Sequence, residues 1–481
     1  MGTGFMEAVL STSPRLSGQT RRVCGSVQPF FSRLGYVFLV SLTLYIPVEP
    51  VLFRYLPLSG KTYLLGQFWW EAGLYALVGF FLLGKFLRGR LPRTSLDPMV
   101  VLFLFIAVAS LTLNRSPIIG ALINVRKLVR FVLVYYLVVY ARLSPGQVRR
   151  ITRVLILVGV IQVGVGLAQV CSRGVINPWL QPRSGGIELF GFTREFTLVE
   201  RGREIGSTFG TMGDTVPYAE FLLVLLAVLL TRGKVRRKLW WMWITIGLVL
   251  VCIAVSYVRA AYLAAVAIIW VIYGARKGWV PISLLAVLLL IPAVLLLLLL
   301  RPARYVNPRF EETGIWNSLA GVFTSDYIER AQKNRLSSLL EVAPTVLINR
   351  PWLGYGPDEE TAVERLVRSR THFLSKQWTR KGFKDVYWVA LLVFYGVPGL
   401  MVMLWLFGHL FWRAYWIYRS SGWMLTRQIA LAQMALVVAT ALLLFFNRAL
   451  EFRGFAFYFW LLPGLVHSLW FWERREMRGA D

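Results

Sequence analysis

Residues 387–411 read YWVALLVFYGVPGLMVMLWLFGHLF, without a single Lys, Arg, Asp or Glu. At about 1.5 Å of rise per residue such a stretch exceeds the ~30 Å hydrocarbon core of a bilayer, so it reads as a membrane-crossing helix. Working outward, runs of the same kind recur at Tyr36–Phe53, Leu65–Phe86, Pro98–Leu113, Ile118–Tyr140, Val154–Cys171, Val216–Leu230, Leu239–Tyr257, Ala260–Tyr273, Val280–Leu300, Ala430–Phe446 and Phe455–Trp472. Together they predict an all-α, polytopic integral membrane bundle of about twelve helices by the length rule for a spanning helix. The bulk composition agrees: 57% hydrophobic residues, mean hydropathy +0.59 and 16% charged residues, where soluble chains carry roughly a quarter charged. The apolar runs tile nearly the whole chain, so residues 1–481 read as one membrane domain.

The basic residues set the expected orientation. Arg15, Arg21 and Arg22 precede the first run; Lys85, Arg88, Arg90 and Arg93 follow the second; Arg142, Arg149 and Arg150 follow the fourth. Arg232, Lys234, Arg236, Arg237 and Lys238 come next, then Arg276 and Lys277, then Arg413, Arg419 and Arg427, and last Arg474, Arg475 and Arg478. With an even number of spans and both termini cytoplasmic, all of them fall on the cytoplasmic side. The two long loops, 172–215 and 301–384, then lie outside. A loop of that second length is expected to be functional or structured, and apolar periodicity at Ile328–Leu347 and Thr361–Leu374 predicts helices in it that cap the outer mouth of the bundle. Met1–Gln28 is polar and has no apolar core of the kind a cleavable signal needs.

Charges at membrane depth are functional candidates by default. Arg126, Lys127 and Arg130 lie in the outer half of the fourth run, and Arg126 and Arg130 share a helix face at i, i+4. Two guanidinium groups on one face suit an anion; for Lys127 snorkelling to the headgroups is the competing reading. Glu71 and Glu220 are candidate internal partners for these arginines. Arg259 sits at a short outer turn, and Arg448, Glu451 and Arg453 read as a solvated outer turn. The net charge of +29, from 53 Lys and Arg against 24 Asp and Glu, is spread over the loops, which argues against nucleic acid as a partner. There is no phosphate-cradling Walker sequence, no His-Glu-x-x-His, and no paired-aspartate motif in an outer loop. His372, His409 and His467 are scattered, and Cys24, Cys171 and Cys252 have no metal or redox spacing, so neither a metal nor another cofactor is expected.

Several segments, in order, resemble the O-antigen ligase and O-antigen polymerase superfamily of bacterial membrane glycosyltransferases. Val255-Ser256-Tyr257-Val258-Arg259-Ala260-Ala261-Tyr262-Leu263 is similar to the family's Ser-Arg-Gly-Ala-Trp-Leu stretch, with Arg259 on its essential arginine and Val258 replacing the serine. Arg335, followed by Asn349-Arg350-Pro351-Trp352-Leu353-Gly354-Tyr355-Gly356-Pro357, resembles the family's arginine and Pro-hydrophobic-hydrophobic-Gly-x-Gly loop. Asp385-Val386-Tyr387-Trp388-Val389 with Gly396-Val397-Pro398-Gly399-Leu400 resembles His-Asn-x-Tyr-Leu followed by Gly-x-x-Gly-Leu. Arg203 to Gly210 resembles a segment with an arginine before Gly-Thr-Phe. Ligases of the family carry histidine at the position of Asp385 and some polymerase-like relatives carry aspartate, which favours a polymerase.

The resemblance implies a GT-C-like fold in a bacterial inner membrane, with the site on the periplasmic face. It implies a donor glycan on undecaprenyl diphosphate, transferred with inversion and without metal to a second lipid-linked unit. Arg203, Arg259, Arg126, Arg130 and Arg335 would bind the diphosphate. Asp385 would orient or deprotonate the attacking hydroxyl, a role that competes with a helix N-cap; His372 is a second base candidate. Expected partners are the lipid-linked oligosaccharide, the bilayer and, for a polymerase, a chain-length regulator protein. A ligase acting on lipid A–core, a protein oligosaccharyltransferase and a transporter of lipid-linked oligosaccharides remain open. A transporter is expected to show symmetry-related halves or broken helices, neither of which is evident in the sequence.

Overall fold

The computed structural model describes residues 18–56, 60–86, 93–180, 187–189, 192–194, 208–232, 240–279, 342–369 and 386–479. Apart from an antiparallel ribbon pairing Ile187–Leu189 with Phe192–Arg194, its regular structure is helical. In chain order the helices are α1 (Gly18–Tyr55), α2 (Gly60–Phe86), α3 (Asp97–Leu113), α4 (Ile118–Ala141), α5 (Pro145–Cys171), a single turn α6 (Asn177–Leu180), α7 (Thr215–Thr231), α8 (Trp240–Val255) and α9 (Arg259–Lys277). They continue with α10 (Ala343–Asn349), α11 (Glu359–Arg368), α12 (Tyr387–Ser420), α13 (Met424–Leu443) and α14 (Arg453–Gly479). Among the described residues, six helices are long and apolar enough to cross a membrane: α1, α5, α9, α12, α13 and α14. The protein is therefore an α-helical membrane protein. The expected run Val280–Leu300 lies outside the described residues, and every other expected run falls on a helix.

α13 and α14 form the centre. α13 packs on α12, α9, α7 and α14, and α14 packs in turn on α4. Their faces are buried nearly all round, whereas α1 and α5 leave most of their surface outside the bundle. α4 carries Arg126, Lys127 and Arg130 in mid-helix, too much charge for lipid, and it lies among α14, α2 and α1. Exposed Val101, Phe105 and Val108 of α3 and Trp240, Trp241 and Trp243 of α8 present large apolar groups outward, where hydrocarbon tails would cover them.

The arginine-rich helix ends collect at one end of the bundle. The Trp472 indole N–H donates to the Arg142 carbonyl at 3.4 Å, Arg276 donates to the Leu230 carbonyl at 2.5 Å, and Arg413 reaches the Ser95 hydroxyl and, at 2.8 Å, Nδ1 of His467. Glu473 closes the α12–α13 turn by accepting from Ser421 Oγ (2.6 Å), Gly422 N (2.6 Å) and Trp423 N (3.1 Å). α5 starts at the same end with Ser144 as N-cap, Pro145 at the first helical position and a reciprocal bond between Ser144 and Gln147, the pairing that satisfies two otherwise free N–H groups.

Candidate functional site

The opposite end holds a buried ionic cluster. Glu71 of α2 is 2% exposed and receives two arginines from one face of α4. Arg130 Nη1 lies 2.8 Å from Oε1, and its Nη2 donates to the Glu451 carbonyl at 2.9 Å. Arg126 donates from Nη2 to the same Oε1 at 3.3 Å; its Nε is 2.9 Å from Oε2 but off-line for a hydrogen bond. The i, i+4 spacing read from the sequence is what lets both reach one carboxylate. They differ in access: the Arg130 side chain is 8% exposed, that of Arg126 34%. The Arg126 guanidinium also lies 4.7 Å from the Phe68 ring centroid. One carboxylate neutralises only one of two guanidinium charges, so a net positive charge remains, and Arg126 is the one placed to present it.

The turn between α13 and α14 belongs to this cluster. Arg453 pairs with Glu49 of α1 at 2.5 Å, and Arg448 lies 3.5 Å from Glu451 and 3.9 Å from Glu359 of α11. The expectation of a solvated turn is thus corrected: these side chains are half-buried and face carboxylates. Glu220 is corrected too. It is fully buried and, among the described residues, takes no arginine: Oε1 accepts from Asn447 Nδ2 at 2.7 Å, and neither Oε2 nor Asn447 Oδ1 has a hydrogen-bond partner there. Glu71, by contrast, does pair with the arginines, and with both.

Beside the cluster, a loop plugs a broken helix. α12 leaves helical geometry at Gly396 (φ 68°, ψ −167°), just before Pro398, and residues 387–395 form a half-helix buried on every side. A helix broken at membrane depth is tolerated only where protein satisfies the freed backbone groups. Residues 350–357 do so: Tyr355 N donates to the Val393 carbonyl and Val397 N to that of Pro351, each at 2.7 Å. Ser110 Oγ of α3 lies 2.7 Å from the Leu353 carbonyl and 2.8 Å from that of Phe394. The seam requires two glycines. Gly354 has φ 60°, and a Cβ there would stand 2.3 Å from the Val393 oxygen; one on Gly396 would stand 2.5 Å from the Pro351 oxygen. No L-residue with a side chain fits either position without moving backbone. Asn124 of α4, one turn before Lys127, donates to the Pro357 carbonyl at 2.8 Å, tying this seam to the helix that carries Arg126. α11, which overlaps the expected Thr361–Leu374 helix but starts two residues earlier, follows the loop with Asp358 as its N-cap.

A second irregular segment, residues 208–214, is held by two glutamines of α5. Gln169 Oε1 accepts from Phe209 N and Gly210 N at 3.0 and 2.9 Å; Gln162 accepts from Thr211 N at 3.0 Å and donates to its hydroxyl at 2.6 Å. Sequence reading passed over both glutamines. Their signal was present, as two polar residues seven apart on one face of an apolar helix.

Of the sequence-derived site residues, Arg126 and Arg130 come together on Glu71. Arg259 opens α9 after a tight turn in which Tyr257 is left-handed (φ 56°). It lies at the same end as the cluster but on a different helix: α9 packs on α13, α13 on α14, and α14 on α4. Arg203, Arg335, Asp385 and His372 lie outside the described residues. The N-cap of α12 is Val386, with no side-chain cap bond. The transporter expectation is altered as well, since α12 is a broken helix. Among the described residues no three His, Cys, Asp or Glu side chains group in a way that would hold a metal ion. No family model matches the chain, and a search of curated proteins finds no match either.

Proposed function

We propose that the protein is a membrane glycosyltransferase of the polysaccharide-polymerase type. In this reading the chain crosses a bacterial inner membrane about twelve times, with both termini in the cytoplasm and the Glu71 cluster at the periplasmic face. The donor is a glycan repeat unit on undecaprenyl diphosphate, and the acceptor is a second lipid-linked unit. A sugar hydroxyl attacks the anomeric carbon from the face opposite the diphosphate; the new C–O bond forms as the bond to the diphosphate oxygen breaks, and the hydroxyl proton passes to a base. Undecaprenyl diphosphate leaves with the bonding electron pair. A good leaving group needs mainly stabilisation of its growing charge, which fixed guanidinium groups supply. Arg126, with Lys127 beside it, and Arg259 take that role; Arg203 and Arg335 are assigned to it only through the resemblance. Arg130, enclosed and committed to Glu71 and to the Glu451 carbonyl, positions Arg126. Asp385, just ahead of the buried half-helix, is the assigned base.

The observation that carries this reading is the meeting, at one seam, of two segments that the resemblance rests on: Arg350–Pro357 closes the break at Gly396–Pro398 and is bonded to the helix bearing Arg126. The broken helix supports a second reading, transport of the lipid-linked glycan, because transporters build substrate sites from discontinuous helices. The two separate in one assay. Purified protein given only a lipid-diphosphate-linked repeat unit is expected to make a ladder of longer lipid-linked glycans. Arg126→Ala is expected to lower the rate by about 100-fold, the scale for losing one group that stabilises developing negative charge, while the protein stays folded. A product that forms only when lipid A–core or a protein acceptor is added would replace the polymerase by the corresponding transferase. Movement of the glycan across vesicles with no new glycosidic bond would establish the transporter.

A further inference from the structure

The arginine-rich end of the bundle carries a feature that the proposed chemistry does not use. A cavity of about 320 Å³ opens between the middle of α1 and the first two turns of α5, lined by Ser32, Arg33, Ser144, Gly146, Gln147 and Arg150. That volume is at the lower edge of the ~300–1,000 Å³ range of small-molecule sites. Ser144 and Gln147 are bonded to each other's backbone, so the charges left to face a ligand are the exposed guanidinium groups of Arg33 and Arg150.

The same α4–α5 turn gathers two more. Arg142, left-handed at φ 48°, lays its guanidinium 5.0 Å from the Phe471 ring centroid, and Arg475 lies 5.6 Å from that of Trp472. Burial, and then the like charge of Arg475, push the Arg142 guanidinium below its ordinary range. None of Arg33, Arg142, Arg150 and Arg475 is in an ion pair among the described residues. Arg33 and Arg150 line the cavity, Arg142, two residues before its Ser144, stands together with Arg475, and like charges gathered at one turn favour a bound anion. Planar guanidinium forks bind phosphate oxygens in pairs. The turn joins two helices of the bundle at its polar boundary, and an indole borders it, the residue type that settles at headgroup level. The anion present at that depth is a lipid phosphate.

We infer that the α4–α5 turn, with Arg33, Arg150, Arg142 and Arg475, is a binding site for the phosphodiester headgroup of an anionic phospholipid. The site is independent of the glycosyltransferase reading and at the other end of the molecule.

The test uses the full-length protein in detergent, supplied with phosphatidylglycerol, with phosphatidylcholine or with inorganic phosphate, and follows retained lipid by native mass spectrometry and unfolding temperature by thermal scan. Phosphatidylglycerol is expected to be retained and to raise the unfolding temperature. Replacing the two arginines that line the cavity, Arg33→Gln with Arg150→Gln, is expected to weaken it about thirtyfold, from roughly fivefold for each arginine near an anionic surface. Arg419→Gln, an exposed arginine at the same end but outside the site, is expected to change nothing. Equal weakening by Arg419→Gln would overturn the site in favour of diffuse surface charge. Equal retention of phosphatidylcholine would remove the role of headgroup charge, and equal protection by millimolar inorganic phosphate would make the ligand a free anion.

Discussion

The two ends of the bundle use the same residue in opposite ways. At the Glu71 end, arginines meet carboxylates inside protein: Arg126 and Arg130 on Glu71, Arg453 on Glu49, Arg448 between Glu359 and Glu451. At the other end they lie over aromatic rings, Arg142 over Phe471 and Arg474 between Trp416 and Trp470. The difference follows from what surrounds each group. A guanidinium enclosed by helices cannot keep its water, so it persists only with an acid and further acceptors. One at the bundle's rim rests its flat face on an indole and keeps its charge in water or on headgroups. Charge at the first end therefore holds helices together and leaves one arginine to spare, whereas charge at the second end faces outward.

That contrast can be broken most directly at Glu71. Glu71→Leu strands the enclosed Arg130 and frees the open Arg126, and is expected to cost about 3–5 kcal/mol, the usual penalty for removing one partner of a buried pair. It would show as a fall in unfolding temperature or loss of folded yield, and pairing it with Arg130→Met should restore most of the loss. If Glu71→Leu alone unfolds no earlier than the parent protein, Glu71 is not the clasp. Gly354→Ala comes next. It forces a side chain into a left-handed position against a carbonyl and is expected to cost roughly 1–3 kcal/mol; combined with Gly396→Ala the two losses should fall short of their sum, because both open one seam. Simple additivity in that double-mutant cycle would argue that the loop and the broken helix do not depend on each other. The smallest effect belongs to the other end. Arg475→Gln loses no acid partner and relieves Arg142, so in neutral detergent its stability should stay within about 0.5 kcal/mol of the parent. A large loss there would mean that this arginine too is structural.

The helices were legible because lipid admits few alternatives: an apolar run of sufficient length must be helical to bond its own backbone. The shared face of Arg126 and Arg130 followed from helical spacing alone, and Glu71 as a possible partner followed from being the acid at matching depth. Glu220 shows where such reasoning fails. By depth it was as good a partner as Glu71, yet α7 turns it toward Asn447, and no one-dimensional pattern records which neighbour a helix faces. Arg448, Glu451 and Arg453 read as solvated because they sit in a short polar turn; α11 and α1 bring Glu359 and Glu49 against them from sequence positions far away. Gly354 and Gly396 looked like separate punctuation in two motifs. Only contact shows that each is small for the sake of the other's backbone.

The sequence by itself determined that this chain is a bundle of apolar helices, that its basic residues gather at one end, and that a pair of arginines lies at depth on one helix face. These are consequences of local rise, period and hydration cost, which each segment carries alone. The tertiary structure decided which arginine is enclosed and which is open, which acid is paired, and that a loop closes a broken helix. Those outcomes depend on what stands across from each residue, and a buried charge or a freed carbonyl is stable only through a partner supplied by another part of the chain.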